Sequence, residues 1–141
     1  MPARTIAALL LLTLLSPAFA AGPDRVAVIV HPERRAELSV EDVAQIYLRR
    51  KRFWSDGAPI VPLNLPPANP LRQRFSELVL RQGERRLAEY WNRQYFLGIL
   101  PPATLVSTES VRRYIAADPN AIGYVPDSEV DGTVRVLFRL R

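Results

Sequence analysis

The sequence predicts one α/β domain in which a mixed, mainly parallel sheet is flanked by helices. Val26–Val30 is a continuous apolar, mostly β-branched run, the pattern of a strand covered on both faces, as in parallel sheets. Later strand-like runs alternate with capped amphipathic segments, and no repeat, low-complexity stretch or linker separates them. A single core is therefore expected for this chain of 141 residues.

The N-terminus has the features of a secretory signal peptide over residues 1–20. Arg4 supplies a positive charge, Ile6–Leu15 is apolar apart from Thr13, and Ala18-Phe19-Ala20 fits a small-x-small cleavage site. An uncleaved membrane anchor is the alternative, but an apolar run of about ten residues is too short to cross a hydrocarbon core of roughly 30 Å as a helix. We expect export to the periplasm and a mature domain over residues 21–141.

The first helix is predicted to begin after Ser39, an N-cap residue type that is followed by two acidic residues. Residues 54–59 are dense in turn formers. Ile60–Asn64 has the pattern of a short strand, and Pro62 within it favours a position at the sheet edge or an early departure from the ladder.

The second helix has the strongest start signal in the chain. Asn69 is a favoured N-cap residue, and Pro70 suits the first helical position because its missing amide would have no intrahelical partner. The apolar stripe of this helix is predicted to consist of Leu71, Phe75, Leu78 and Val79.

The rest of the chain continues the alternation of helices and strands. The predicted elements are a helix over 84–95, a weak strand over 104–106, a helix from a cap at Ser107 or Thr108 to Ala117, a strand over 121–125 and an alternating strand over 133–140. Tyr90 and Trp91 lie on the apolar stripe of the predicted 84–95 helix, and such aromatic side chains belong to a core more often than to a ligand site.

The composition argues against catalysis and cofactors. The chain has no cysteine and a single histidine, His31, so it offers no thiolate metal site and no histidine pair. His31 follows the first strand, but we expect it to be a capping or surface residue. The sequence contains no Walker-type loop and no dinucleotide glycine fingerprint. We therefore expect a protein that is not an enzyme and holds neither a cofactor nor a metal.

The charge balance favours an anionic ligand. Lysine and arginine number 19 against 14 acidic residues, a formal net charge of +5. Such an excess can serve nucleic acid, membrane surfaces or anions, and export argues against nucleic acid as a partner. The basic run over residues 49–52 is typical of a solvated helix end, where cations also complement the helix dipole.

The start of the second helix is the candidate anion site. A helix N-terminus presents unpaired amides and a partial positive charge, and Arg72 and Arg74 lie within its first turns. Pro70 removes one of the donor amides. Trp54 in the turn and Ser39 at the start of the first helix are expected nearby. The predicted ligand-binding residues are therefore Ser39, Trp54, Asn69 and Arg72.

Three segments resemble the phosphate-type periplasmic substrate-binding proteins of ABC transporters. Ser39–Leu48 resembles that family's L-S-x-x-x-L-x-x-I-F-L-G-K helix, with Arg49 and Arg50 at its Gly-Lys. Trp54–Gly57 resembles the family's W-x-D-G turn, and Ala121–Val125 resembles its A-I-G-Y strand. The resemblance implies a periplasmic-binding-protein-like (type II) fold and solute binding for transport.

Two departures change what the resemblance implies. The family's phosphate loop, Arg-x-x-Gly-Ser-Gly-Thr-x-x-x-Phe, aligns on Phe75 and finds Leu65 in place of the arginine and Asn69-Pro70-Leu71 in place of Ser-Gly-Thr. Hydrogen bonds to charged groups contribute about 1.5–3 kcal/mol each, so these changes weaken the phosphate grip. Family members are also more than twice as long and close two lobes around the ligand. A single lobe would need a partner chain or a second copy of itself to close.

Two functions follow from these expectations. The favoured one is an exported substrate-binding-protein-like domain that binds a small anion such as phosphate for an ABC transporter. The alternative is a ligand-free accessory module that recognises a transporter, porin or sensor protein of the envelope.

Overall fold

Five strands form a single sheet in the residues that the computed structural model describes, 24–141. They are β1 (Val26–Val30), β2 (Val61–Asn64), β3 (Ala103–Thr104), β4 (Ala121–Pro126) and β5 (Arg135–Leu140). Their order across the sheet is β3-β2-β4-β1-β5. The predicted signal peptide and the predicted domain start at Ala21 lie outside the described residues.

Helices cover both faces of this sheet, as predicted. They are α1 (Val40–Tyr47), α2 (Pro70–Phe75), α3 (Glu84–Phe96) and α4 (Thr108–Ala117); a π-helical turn over Ser76–Leu80 continues α2, and a short 3₁₀ turn over Asp127–Glu129 follows β4. The predicted N-caps are confirmed at Ser39, Asn69 and Ser107, where each side chain accepts a hydrogen bond from an amide of the first helical turn. No helix in the described range combines the length and apolarity that a membrane crossing requires.

The mixed sheet is confirmed, but its pairings are evenly divided rather than mainly parallel. β2 runs parallel to β3 and β4, whereas β1 runs antiparallel to both of its neighbours, β4 and β5. Every residue of β1 is fully buried. The unbroken apolar pattern of β1 indicates burial on both faces, and an inner strand is buried in this way whether its neighbours run parallel or antiparallel to it.

β2 is an inner strand, so of the two positions that Pro62 favoured the sheet edge is wrong, whereas the early departure fits, since the pairing with β4 ends at Pro62. β3 has only two residues and pairs with Leu63 and Asn64, so Pro62 pairs on the β4 side with Ile122 and lies beyond the end of β3. The missing amide of proline is therefore tolerated one strand inside the sheet, because the edge strand does not reach it.

Alternate residues of β4 face different helices. Tyr124 stacks on Phe75 of α2, with ring centroids 3.9 Å apart, and Tyr47 of α1 lies 4.7 Å from the same phenyl ring. On the opposite face, Gly123 lies directly under α4, where Val111 and Ile115 occupy the space that a side chain would fill. The core thus consists of two layers of helix around one buried sheet.

A smaller cluster attaches α3 to the end of α1. The Tyr90 hydroxyl donates a hydrogen bond of 2.6 Å to the carbonyl oxygen of Leu48, and Leu87 packs beside it. The guanidinium of Arg50 lies 5.5 Å from the centroid of the Tyr90 ring. Tyr90 is therefore buried as predicted, whereas Trp91 is only half-buried.

Candidate functional site

The start of α2 lies immediately beyond the carboxyl end of β2, but its first amides are not free for an anion. Pro70 has no amide, and the Asn69 side chain accepts a 2.9 Å hydrogen bond from the amide of Leu71. Leu65, which aligns with the arginine of the family's phosphate loop, is fully buried in the core. The backbone of this loop therefore contributes little to the recognition of an anion.

Arg72 is the charged group that remains at this helix start. One of its terminal nitrogens, Nη1, donates a 2.7 Å hydrogen bond to the carbonyl oxygen of Leu65, which fixes the half-buried guanidinium against the end of β2. Arg72 forms no ion pair among the described residues. The remaining guanidinium donors are available for a ligand.

Arg72 lines a cavity of about 250 Å³ between α2 and α3. The other residues of this cavity are Pro67, Ser76, Glu84, Leu87, Ala88 and Trp91. The hydroxyl of Ser76 and the guanidinium can both donate hydrogen bonds to an anion, whereas the exposed carboxylate of Glu84 would repel one. The geometry thus offers a cation and a hydroxyl in a small recess, with one opposing charge at its side.

The hydroxyls of the two buried tyrosines beneath the helix start already donate hydrogen bonds within the protein. The Tyr124 hydroxyl donates to the side-chain oxygen of Asn64, which also accepts a 3.0 Å hydrogen bond from the Leu65 amide. Tyr47 donates to the carbonyl oxygen of Leu63 at 2.7 Å. Burial raises the pKa of both tyrosines above the ordinary value, so both stay neutral. Asn64 carries no sequence signal for this cluster, because its partner Tyr124 is distant along the chain.

Trp54 does not lie near Asn69. It is 4% exposed, and its indole nitrogen donates a 3.0 Å hydrogen bond to the carbonyl oxygen of Asn120, at the amino-terminal end of β4. The guanidinium of Arg34 lies 4.6 Å from the indole centroid and forms a 2.7 Å ion pair with Asp56. These contacts place Trp54 in a structural cluster at the end of the sheet where β4 begins, whereas the start of α2 lies at the other end.

Ser39 is occupied by its own helix. Its hydroxyl accepts a hydrogen bond from the Asp42 amide at 3.1 Å and donates one to the Asp42 carboxylate at 2.9 Å. The Asp42 carboxylate in turn accepts from the Ser39 amide, and this bond is the main reason that the pKa of Asp42 is lowered. Of the four predicted binding residues, the structure brings together Asn69 and Arg72 and uses Ser39 as a cap.

His31 follows β1 at the edge where β2 and β4 begin, away from the start of α2. Its Nδ1 accepts a 3.1 Å hydrogen bond from the amide of Glu33. Residues 24–141 contain no group of three or more His, Cys, Asp or Glu side chains suited to hold a metal ion.

The arrangement of strands and helices is shared with solved structures of phosphate-transport proteins. The chain matches a phosphate ABC transporter substrate-binding protein with bound phosphate from Clostridium perfringens, with a TM-score of 0.67 and 23% identity. It also matches an ABC-type phosphate transport receptor from Vibrio cholerae, with a TM-score of 0.65 and 15% identity, and PstS from Borrelia burgdorferi, with 0.63 and 16%. The fold is that of the phosphate-type substrate-binding proteins.

Each match covers 81% of this chain. The chain spans less than half of each solved structure, 44%, 45% and 46% of their lengths respectively. No protein-family model and no curated protein sequence matches the chain significantly. At these identities the likeness establishes the phosphate-type substrate-binding fold, and the ligand has to be argued from the residues themselves.

Proposed function

We propose that this protein is an exported substrate-binding-protein-like domain that binds a small anion in the recess beside Arg72. The observation that carries the proposal is the half-buried guanidinium of Arg72, which lines a cavity and forms no ion pair within residues 24–141. A fixed guanidinium presents several donors in a geometry that suits oxyanions. The neighbouring Ser76 hydroxyl adds one further donor.

The proposed affinity is low, for three physical reasons. Two amide donors are missing at the helix start, one because residue 70 is proline and one because the Leu71 amide donates to the Asn69 side chain. The buried side chain of Leu65 stands where the family's phosphate loop has an arginine. The carboxylate of Glu84 lines the same recess. The recess is also open to water, which screens charge interactions. Closure by a partner protein or a second copy would exclude this water and strengthen the same contacts.

The signal-peptide pattern of residues 1–20 and the fold shared with phosphate-transport proteins support a role in the periplasm, beside an ABC transporter for phosphate or a related anion. The role that we propose is one of binding, in line with the transport-binding proteins that share the fold. Fusion of residues 1–20 to a reporter that is active only after export would test the location.

Thermal unfolding with added anions tests the proposal. Phosphate, sulfate, molybdate and small carboxylates should each be titrated against the parent chain and an Arg72→Gln variant. A ligand at one hundred times its dissociation constant should stabilise the fold by about 2.7 kcal/mol. Arg85→Gln is the matched control, since Arg85 is exposed and lies at the start of α3.

The comparison uses the ligand-induced shift rather than the starting stability, because Arg72→Gln also removes the hydrogen bond to Leu65. We expect a shift in the parent and the control that is lost in Arg72→Gln. If no oxyanion shifts the parent at millimolar concentration, or if Arg72→Gln responds as the parent does, the binding proposal fails.

A second function is favoured by one observation, an exposed apolar surface at the end of α3. Phe96 is 87% exposed and Leu97 is 71% exposed, with Tyr95 and Leu100 beside them. Contiguous exposed apolar side chains often mark protein-binding surfaces. This surface supports an accessory module that recognises an envelope protein. Affinity capture from envelope extract, with Phe96→Ser and Arg72→Glu variants, would test it, and recovery of the domain alone and monodisperse would rule it out.

A further inference from the structure

A second and larger cavity lies at the other end of β2. It encloses about 420 Å³ between the turn that follows α1 and the segment that follows α3. None of its lining residues lines the cavity beside Arg72. Volumes of this order are typical of small-molecule sites.

Most of the lining of this cavity is apolar. Ile60 directly precedes β2, and the segment after α3 contributes Ile99, Leu100 and Pro101–Pro102 to the lining. Leu100 is 63% exposed, so its side chain leaves apolar surface in water. The proline pair restricts the backbone of this wall, which keeps the groove formed without a ligand. A hydrocarbon or aromatic group that covered this wall would gain hydrophobic stabilisation.

Arg49 and Arg52 complete the lining, which includes no acidic residue among residues 24–141. Within the basic run over residues 49–52, Lys51 is ion-paired with Asp42 and Arg50 lies over the Tyr90 ring. Arg49 and Arg52 form no ion pair in the described part of the chain. The two arginines that line the groove therefore have no ionic partner among the described residues.

Arg49 also has an unfavourable backbone conformation. Its φ of 60° lies in the left-handed region, directly after the C-cap of α1. This position is most often glycine, because a Cβ atom clashes with the backbone there. Arg49 is among the residues that line the groove, and glycine at this position would relieve the strain while removing the side chain.

We propose that this groove binds an amphipathic organic carboxylate, with the carboxylate between Arg49 and Arg52 and the apolar body along Ile60, Ile99 and Pro102. An inorganic anion would leave the apolar wall in water, and a neutral hydrocarbon would leave both guanidiniums without a counter-charge. Only a ligand with both parts matches the whole lining. The site and its ligand class are independent of the anion recess beside Arg72.

Isothermal titration with hexanoate, octanoate, 1-octanol and inorganic phosphate tests the proposal on the purified chain. Octanoate should bind at millimolar concentration or below, and each methylene added between hexanoate and octanoate should tighten binding about two- to fourfold. The neutral alcohol of the same length should bind at least tenfold more weakly. The heat measured on titration with phosphate should be the same for the parent chain and for variants at Arg49 or Arg52.

The variant Arg49→Gly separates binding from folding. Glycine relieves the left-handed strain, so this variant should melt at a higher temperature than the parent while it binds octanoate at least tenfold more weakly. Arg52→Gln should weaken binding in the same way without the gain in stability. Arg85→Gln, at the far end of α3, should leave octanoate binding unchanged.

Three results would overturn the proposal: no detectable octanoate binding, equal binding of octanoate and octanol, or unchanged binding in the Arg49→Gly/Arg52→Gln double variant. A monomer–dimer equilibrium that this double variant abolishes would also overturn it, because a second copy would then occupy the groove. Arg72→Gln should not alter octanoate binding. The experiments can therefore refute the carboxylate groove without refuting the anion recess beside Arg72, and the reverse.

Discussion

Substitution of Gly123 by alanine should destabilise the fold, because the sheet and α4 meet there without a side chain between them. A Cβ atom at Gly123 would lie 2.7 Å from Cγ1 of Val111 and 2.8 Å from Cδ1 of Ile115. Both neighbours are buried, at 1% and 0% exposure, so neither can rotate into solvent. The added methyl group must displace α4 or distort β4.

The magnitude is the difference between two opposing effects. Overpacking of a well-packed core costs about 1–3 kcal/mol. Replacement of a strand glycine by alanine reduces the entropy of the unfolded chain and returns about 0.5–1 kcal/mol. The difference is a net loss of up to about 2.5 kcal/mol in the free energy of unfolding, with a middle value of about 1 kcal/mol. Each kcal/mol lowers the melting temperature of a domain of this size by about 4 °C.

Urea unfolding monitored by circular dichroism measures this loss, with an unchanged slope against urea if both states keep their compactness. Gly132→Ala is the matched control, since no heavy atom lies within 4 Å of the Cβ position there, and it should change stability by less than about 0.5 kcal/mol. Combination of Gly123→Ala with Val111→Ala should show favourable coupling, because the second change removes the clashing methyl group. A Gly123→Ala variant at least as stable as the parent would refute the close approach of α4 to β4.

Two further predictions concern the start of α1. Ser39→Ala removes a capping box and should cost about 1 kcal/mol in urea unfolding; Ser55→Ala, in an exposed turn, is the control, and equal losses in the two variants would contradict the capping role. In the folded state the pKa of Asp42 is lowered from 3.8, mainly by the hydrogen bond from the Ser39 amide. The ionised carboxylate therefore stabilises the fold at pH values above 3.8, and this contribution is lost as the pH falls through the folded pKa. Asp42→Asn should therefore reduce the acid sensitivity of the urea midpoint below about pH 4, whereas a stability difference from the parent that is independent of pH would exclude this linkage.

Local signals located most of the elements correctly. Ser39, Asn69-Pro70 and Ser107 mark helix starts because a capping side chain or a proline acts on amides within three residues of itself. The apolar runs at Val26–Val30 and Ala121–Val125 mark the two central strands because both faces of each strand are covered. These predictions depend on short-range chemistry, which a sequence states directly.

The candidate site was only partly predictable. Asn69 and Arg72 are close in sequence and remain close in the structure, where Arg72 reaches back to Leu65 at the end of β2. Trp54 was expected near them because its turn precedes β2. The turn instead lies where β2 begins, and α2 starts where β2 ends, so the length of the strand separates them. The basic run over residues 49–52 follows the end of α1, as predicted for a helix end, and only the structure shows that Arg49 and Arg52 also line the larger groove.

The sequence by itself determined the α/β class and most of the strand and helix positions, since each depends on composition or on neighbours along the chain. Only the tertiary structure decided the antiparallel direction of β1, the inner position of β2 and the two separate cavities with their arginines. Strand pairing and cavity walls are formed by residues far apart in the sequence. Hydrophobic periodicity records whether a residue is buried, but it does not record which residue buries it.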